Sequence, residues 1–351
     1  MKRILSLSIS YFLVGLIIFI NVKLYLAPNL TNQKDVNKDV ISQLNYLEDQ
    51  LKNDSLAANL QLMFPEGYVF AYALYGLAWA ELAKNENEDS DLYVRALTEA
   101  RYAYNHINSD EGRSVFYEGL NPEYGIFYQG WKNYLLAKIL ACQTDKKAEE
   151  LVVFESNCEI IAEAFLTYPT PFPESYMYMS WPADAFLAIA SLKIHDKIIG
   201  NKYESLIDDW IKEVKNRLDP YSKLIPHSVS FETEDIIEGA RGCSINLILR
   251  ILCEIDPEFA IDQFNIYKKK FLFTRFGLAA IREYPKGIKG WGDVDSGPVI
   301  LGVGFAGTIV SIGTLKCMGE YDAANQISSA IEAFGFSTKK GNQKKYVFGM
   351  L

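Results

Sequence analysis

FAYALYGLAWAELAK, residues 70 to 84, is apolar nearly all the way round a helical wheel. A helix without a polar face is buried on both sides. The next periodic stretch, 90 to 106, puts its charges on one face instead, as expected of a half-exposed partner. The same pairing recurs four times. WKNYLLAKILACQ (131 to 143) precedes 146 to 166, ADAFLAIASLKIHDKI (183 to 198) precedes 201 to 217, GARGCSINLILRILCEI (239 to 255) precedes 257 to 272, and PVILGVGFAGTIVSIGTLKCMG (298 to 319) precedes 320 to 335. YESLIDDWIKEVKNRL (203 to 218) shows the one-sided charge of the second members. The apolar members start about 55 to 59 residues apart, which reads as stacked helical hairpins. A more acidic helix at about 36 to 55 leads the series.

Solenoid repeats of this kind run roughly 34 to 47 residues, so these are long. The surplus lies before each apolar helix, where Gly, Pro, aromatics and acids collect: MFPEGY (63 to 68), GLNPEYGIFYQG (119 to 130), YPTPFPESYMYMSWPAD (168 to 184), IPHSVSFETEDIIEGARG (225 to 242) and IREYPKGIKGWGDVDSGP (281 to 298). A closed double ring of inner and outer helices would bring all five loops to one rim around a cavity. The fold expected is therefore all-α, an (α/α)5-6 toroid spanning 60 to 336, with residues 27 to 59 as linker and leading helix.

Lys2 and Arg3 precede ILSLSISYFLVGLIIFINV, an uncharged run from Ile4 to Val22. At 1.5 Å per residue it reaches about the roughly 30 Å of a hydrocarbon core, and no small-residue cleavage site follows it. Residues 1 to 26 read as an uncleaved single-pass membrane anchor. The bias of Lys2 and Arg3 over Lys23 points to an exported C-terminal domain. At the other end, STKKGNQKKYVFGML (337 to 351) reads as a basic surface tail.

A net charge of −9 argues against the basic face that nucleic acid requires, and no nucleic-acid partner is expected. His106, His195 and His227 have no second His or Cys at ligand spacing, so neither metal nor cofactor is expected. Cys142, Cys158, Cys243, Cys253 and Cys317 form no CxxC pair and read as buried thiols, with Cys142 and Cys158 as a possible pair in an exported domain.

The loops pool the acids Glu66, Glu123, Glu174, Asp184, Glu232, Glu234, Glu238, Glu283, Asp293 and Asp295 with Arg241, Arg282 and His227. Carboxylates crowded into one cleft raise one another's pKa into the range of a general acid. Asp293 and Asp295, two apart in an extended loop, face the same way, and Ser296-Gly297-Pro298 reads as the cap and first turn of the following helix. The catalytic candidates are Asp293, Asp295, Asp184, Glu238 and His227, with His227 the loop group expected to titrate near neutrality. Structural roles compete: a helix cap for an Asp, dipole compensation for Asp184, an ion pair for Glu238 with Arg241. Trp181, Trp291, Tyr124, Tyr128, Glu174, Arg241 and Arg282 are the candidates for binding substrate. The glycines of LGVGFAG (301 to 307) read as close helix packing.

SWPADA (180 to 185), GWGDVDSGP (290 to 298) and the repeat from about 60 to 335 resemble the (α/α)6-toroid superfamily, most closely proteins with a linalool dehydratase/isomerase-like domain. The resemblance implies cofactor-independent hydration and dehydration of a small terpene alcohol in a hydrophobic cavity, using acid, His, Tyr and Cys side chains. Here only Cys243 falls at a loop. Toroids with acidic, aromatic rims also include glycoside hydrolases, polysaccharide lyases and sugar epimerases. The functional expectation is acid/base chemistry on a saccharide by a membrane-anchored enzyme, with a dehydratase/isomerase or a non-catalytic glycan-binding scaffold as rivals.

Overall fold

The computed structural model describes residues 2–233 and 235–347. Glu234 and the last four residues of the tail lie outside the described residues, as do the side chains of Lys2 and Arg3, on which the charge bias rests. Helices dominate. They begin with α1 (Lys2–Leu24), α2 (Gln33–Lys52) and α3 (Leu56–Met63). The first of these is long and apolar enough to cross a membrane, a property it shares with signal sequences.

Five pairs follow. They are α4 (Gly67–Lys84) with α5 (Asp91–Ile107), α7 (Gly125–Ala141) with α8 (Ala148–Thr167), α9 (Pro182–Ile198) with α10 (Glu204–Lys215), α11 (Gly242–Ile255) with α12 (Pro257–Lys270), and α13 (Phe305–Cys317) with α14 (Tyr321–Phe334). The short α6 (Asp110–Arg113) sits between the first two pairs. The first members pack in series, α4 on α7, α7 on α9, α9 on α11 and α11 on α13, each beside its own partner. Burial follows composition: Val69, Ala73 and Trp79 of α4, and Leu187, Ile189 and Leu192 of α9, are fully enclosed. Some of the polar groups inside bond from one apolar helix to the next. Asn133 of α7 donates to Ser191 Oγ of α9 at 2.9 Å, and Thr314 of α13 to the Asn246 carbonyl of α11 at 2.6 Å. On the side away from the long loops, Glu254 of α11 reaches past α9 to Lys138 Nζ at 3.0 Å and Tyr134 Oη at 3.1 Å, both on α7.

Four antiparallel hairpins depart from the all-helical expectation: β1 (Ser228–Val229) with β2 (Ile236–Glu238), β3 (Leu272–Arg275) with β4 (Leu278–Ile281), β5 (Val299–Ile300) with β6 (Val303–Gly304), and β7 (Ser337–Lys340) with β8 (Gln343–Tyr346). The third corrects the reading of 298 to 319 as one helix. Leu301 and Gly302, at φ +55° and +83°, form a turn with both central residues left-handed, the geometry that joins two strands tightly. The helix starts only at Phe305, so Ser296-Gly297-Pro298 is not its cap, and Gly302 and Gly304 lie in the hairpin.

The basic tail is likewise more than a surface segment. The β7–β8 hairpin docks on α2, where Lys344 is buried against Asp39 at 2.8 Å and also pairs with Glu332 of α14. Cys253 and Cys317 are paired across α11 and α13, which corrects the reading of all five cysteines as thiols, while Cys142, Cys158 and Cys243 are free.

Candidate functional site

The second to fifth long loops gather over the heads of the apolar helices because each is stitched to the next. Ile126 N at the head of α7 donates to Glu174 O (2.8 Å), Val229 N to Ser180 O (3.1 Å), and Gly242 N at the head of α11 to Glu283 O (2.7 Å). Two glycines let these strands of chain cross. A Cβ on Gly125 would stand 2.3 Å from Ser175 O, and one on Gly242 2.2 Å from Arg282 O. No larger residue fits under either crossing.

Arg241, buried just before α11, is the hub. Its Nε binds Glu283 Oε1 at 2.8 Å, and Nη1 and Nη2 hold both oxygens of Asp293 at 2.5 and 2.9 Å. Glu238 lies further off, at 3.4 Å. The guanidinium draws the Asp293 carboxyl down to about 2. Asp293 Oδ1 also accepts from the backbone N–H groups of Asp295 and Ser296, both at 3.1 Å, which folds the turn. Asp293 is thus a fixed anion that shapes the loop, and Arg241 is saturated by protein carboxylates rather than open to a substrate. Cys243 Sγ sits 3.1 Å from Glu283 Oε1, and burial first, with the Glu283 charge second, pushes its thiol well up, so it stays protonated.

Asp184 and Asp295 differ from Asp293 in having no cationic partner among the described residues. Burial at the head of α9 pushes Asp184 up to about 7, with the charges of Glu66 and Asp295 adding to the rise and Ser175 and Trp131 opposing it. Asp295 is raised by crowding and then by Asp293. Glu66, at the head of α4, is raised by burial and by Asp295. The Tyr176 hydroxyl feels all three acids, and burial holds it protonated. Its ring meets Trp181 edge-on at 5.2 Å. Acids from the first, third and fifth loops therefore act on one another beside an aromatic wall. An ionised carboxylate beside a protonated one is the arrangement general acid/base catalysis uses.

The remaining candidates are placed otherwise. His227 does not titrate near neutrality: burial and then Arg241 press it down to about 3, and Nδ1 sits 3.0 Å from Ser244 Oγ. Asp184 is the group near pH 7. Glu238 is part-exposed, 3.9 Å from His227 Nε2. Glu174 closes its own loop, accepting from Tyr168 Oη (2.8 Å) and Tyr178 N (2.7 Å). Tyr128 is a core residue whose hydroxyl donates to Ile107 O at 3.0 Å, and Tyr124, half-buried, packs edge-on against it. Arg282 stacks on Phe273 with its guanidinium carbon 4.0 Å from the ring centroid. Alternation along the extended chain sends it away from its neighbour Glu283. Trp291 is 92% exposed and forms no wall.

Lys132 was not among the candidates. It is a buried lysine over the Tyr128 ring (5.1 Å), pressed down to about 8 by burial, and its signal in sequence is the one charge near the start of WKNYLLAKILACQ. Among the described residues, no group of three or more His, Cys, Asp or Glu is arranged to hold a metal ion. No family model matches the chain, and no curated protein matches it.

Proposed function

We propose that the five helix pairs close into an (α/α) toroid, anchored in a membrane through α1 with its helical body exported, and that its loop-bearing end performs acid/base chemistry on a saccharide. Three features support the closed ring: the serial packing of the apolar helices, the reach of Glu254 past α9 to α7, and the mutual influence of Glu66 and Asp295 from the first and last loops. The observation that carries the chemistry is the pair of acids that form no salt bridge among the described residues, Asp184 and Asp295, the second of them still within the field of Arg241. Asp184 holds its proton up to about pH 7 and serves as the acid. Asp295, held in its turn by the Arg241-anchored Asp293, serves as base or nucleophile. Tyr176 and Trp181 supply a surface on which a sugar ring stacks.

The test is turnover of a panel of nitrophenyl glycosides and of natural oligosaccharides, followed by mass spectrometry, with the full chain in detergent. Asp184→Asn and Asp295→Asn should each cut turnover by about 100-fold or more, while Asp295→Asn keeps its stability within about 1 kcal/mol. Turnover that survives both substitutions, or a wild-type chain that processes no sugar, sinks the reading.

One observation favours a second reading, cofactor-independent dehydration or isomerisation of an alcohol: the protonated Cys243 thiol against Glu283 in the same loop cluster. Loss of alcohol dehydration in Cys243→Ala, by a chain inert toward sugars, would select it.

A further inference from the structure

Away from the loop cluster, a cleft of about 910 Å³ opens between α2 and α3 on one side and α13, α14 and the C-terminal hairpins on the other. Its volume is at the upper end of the roughly 300 to 1,000 Å³ typical of ligand sites. Its walls are aliphatic, with Leu47, Leu60, Ile312 and Ile331 among them, and its polar end is the buried Lys344, Asp39 and Glu332 group.

Three observations tie this cleft to the bilayer side of the molecule. Chain continuity is the first: α1 ends at Leu24, and Pro28 and Leu30 already line the cleft. Packing is the second: α1 lies along α14, with Phe19 stacked on Phe336 at 5.7 Å and Lys23 Nζ bonded to Ser337.

The third is at the mouth. Phe276 and Leu301 are each the first residue of a two-residue hairpin turn, at φ +50° and +55°, a conformation that bulky side chains rarely adopt. Both are exposed, Phe276 at 84%, and both line the cleft. Arg275 ties the two tips together, donating through Nε and Nη2 to Leu301 O at 3.1 and 2.9 Å. Met63, exposed at the end of α3, lines the same cleft. Exposed apolar side chains gathered around one cleft mark an interaction surface.

We propose that the cleft takes up an acyl chain of a lipid from the membrane that holds α1, with Phe276 and Leu301 dipping into the bilayer as its lip. This rests on α1 lying in a bilayer. The experiment uses the full chain reconstituted in phosphatidylcholine vesicles doped with a phosphatidylcholine bearing a diazirine at the end of one acyl chain. After irradiation, adducts are mapped by mass spectrometry. Adducts are expected on α1 and on the cleft wall at Leu47, Leu60, Ile312 and Ile331. Phe276→Asp with Leu301→Asp should lower the cleft adducts at least threefold relative to those on α1, with the melting curve unchanged because both side chains are exposed. Adducts on α1 alone would overturn the cleft while leaving the anchor. An unlabelled α1 would overturn both. Cross-links between two copies through the cleft wall would assign it to a second chain and overturn the lipid.

Discussion

Arg241 grips both carboxylate oxygens of Asp293 while its Nε holds Glu283, so one buried guanidinium joins the head of α11 to two separate points of the loop before α13. Glu283 is fully enclosed, whereas the Asp293 side chain is 45% exposed. Loss of the arginine strands the first and merely frees the second.

Arg241→Gln should therefore destabilise the chain by about 3 to 5 kcal/mol, the cost of leaving a buried charge unpaired. Asp293→Asn should cost far less, because water replaces what the loop loses. Urea unfolding of the two variants decides it: equal losses would mean that Glu283 is not the residue the arginine is there to satisfy.

A second pair of residues sets an opposed dependence on pH. Between 3.8 and about 7 the folded chain keeps a proton on Asp184 that the unfolded chain has lost, so this contribution is complete below 3.8 and fades as pH rises toward 7. His227 does the reverse. Between about 3 and 6.5 the unfolded chain binds a proton that the folded chain refuses, so its contribution is complete above 6.5 and fades as pH falls toward 3. Relative to wild type, Asp184→Asn should make stability climb more steeply from about pH 4 to 6.5, and His227→Gln should make it decline. Urea midpoints across that interval test both, and unaltered profiles would refute the assignment.

Lys344 neutralises a site that holds two acids, Asp39 and Glu332. Lys344→Met should cost about 3 to 5 kcal/mol, and replacing all three by apolar residues of similar volume should recover most of it. If the single substitution is harmless by chemical denaturation, the hairpin is not docked as described.

Gly242→Ala should cost about 3 kcal/mol, at the high end for a single substitution, since its Cβ would collide with Arg282 O. Gly313→Ala, in α13 with its nearest neighbours at 3.7 Å or more, should be neutral or stabilising. Thermal melts that rank the two the other way would show that the loop does not cross there.

The helices were legible because their signal is periodic and strong. FAYALYGLAWAELAK has no polar face to lose, and the structure extends it by only a turn, to Gly67. The hairpins were not legible for a local reason. VILGVGFAG is apolar throughout, and nothing in its composition tells a left-handed Leu301 from a helical one. In the loops, residue types picked out the acids, and Asp184 and Asp295 form no salt bridge among the described residues, whereas Asp293 does. Which acid is spent on Arg241 depends on a contact 52 residues away in the chain. His227 shows the same limit, since its pKa is set by enclosure and by a guanidinium that lies 14 residues off in sequence.

The bond from Lys344 to Asp39 spans 305 residues. At a synthesis rate of about 5 to 20 residues per second, on the order of 15 to 60 s separates the making of the acid from the making of its cation. Throughout that time α2 stands finished but without the strand that seats it. The last hairpin is thus what gives Asp39 its buried cation, and that contact between the two ends of the helical body can form only after nearly the whole chain has been made.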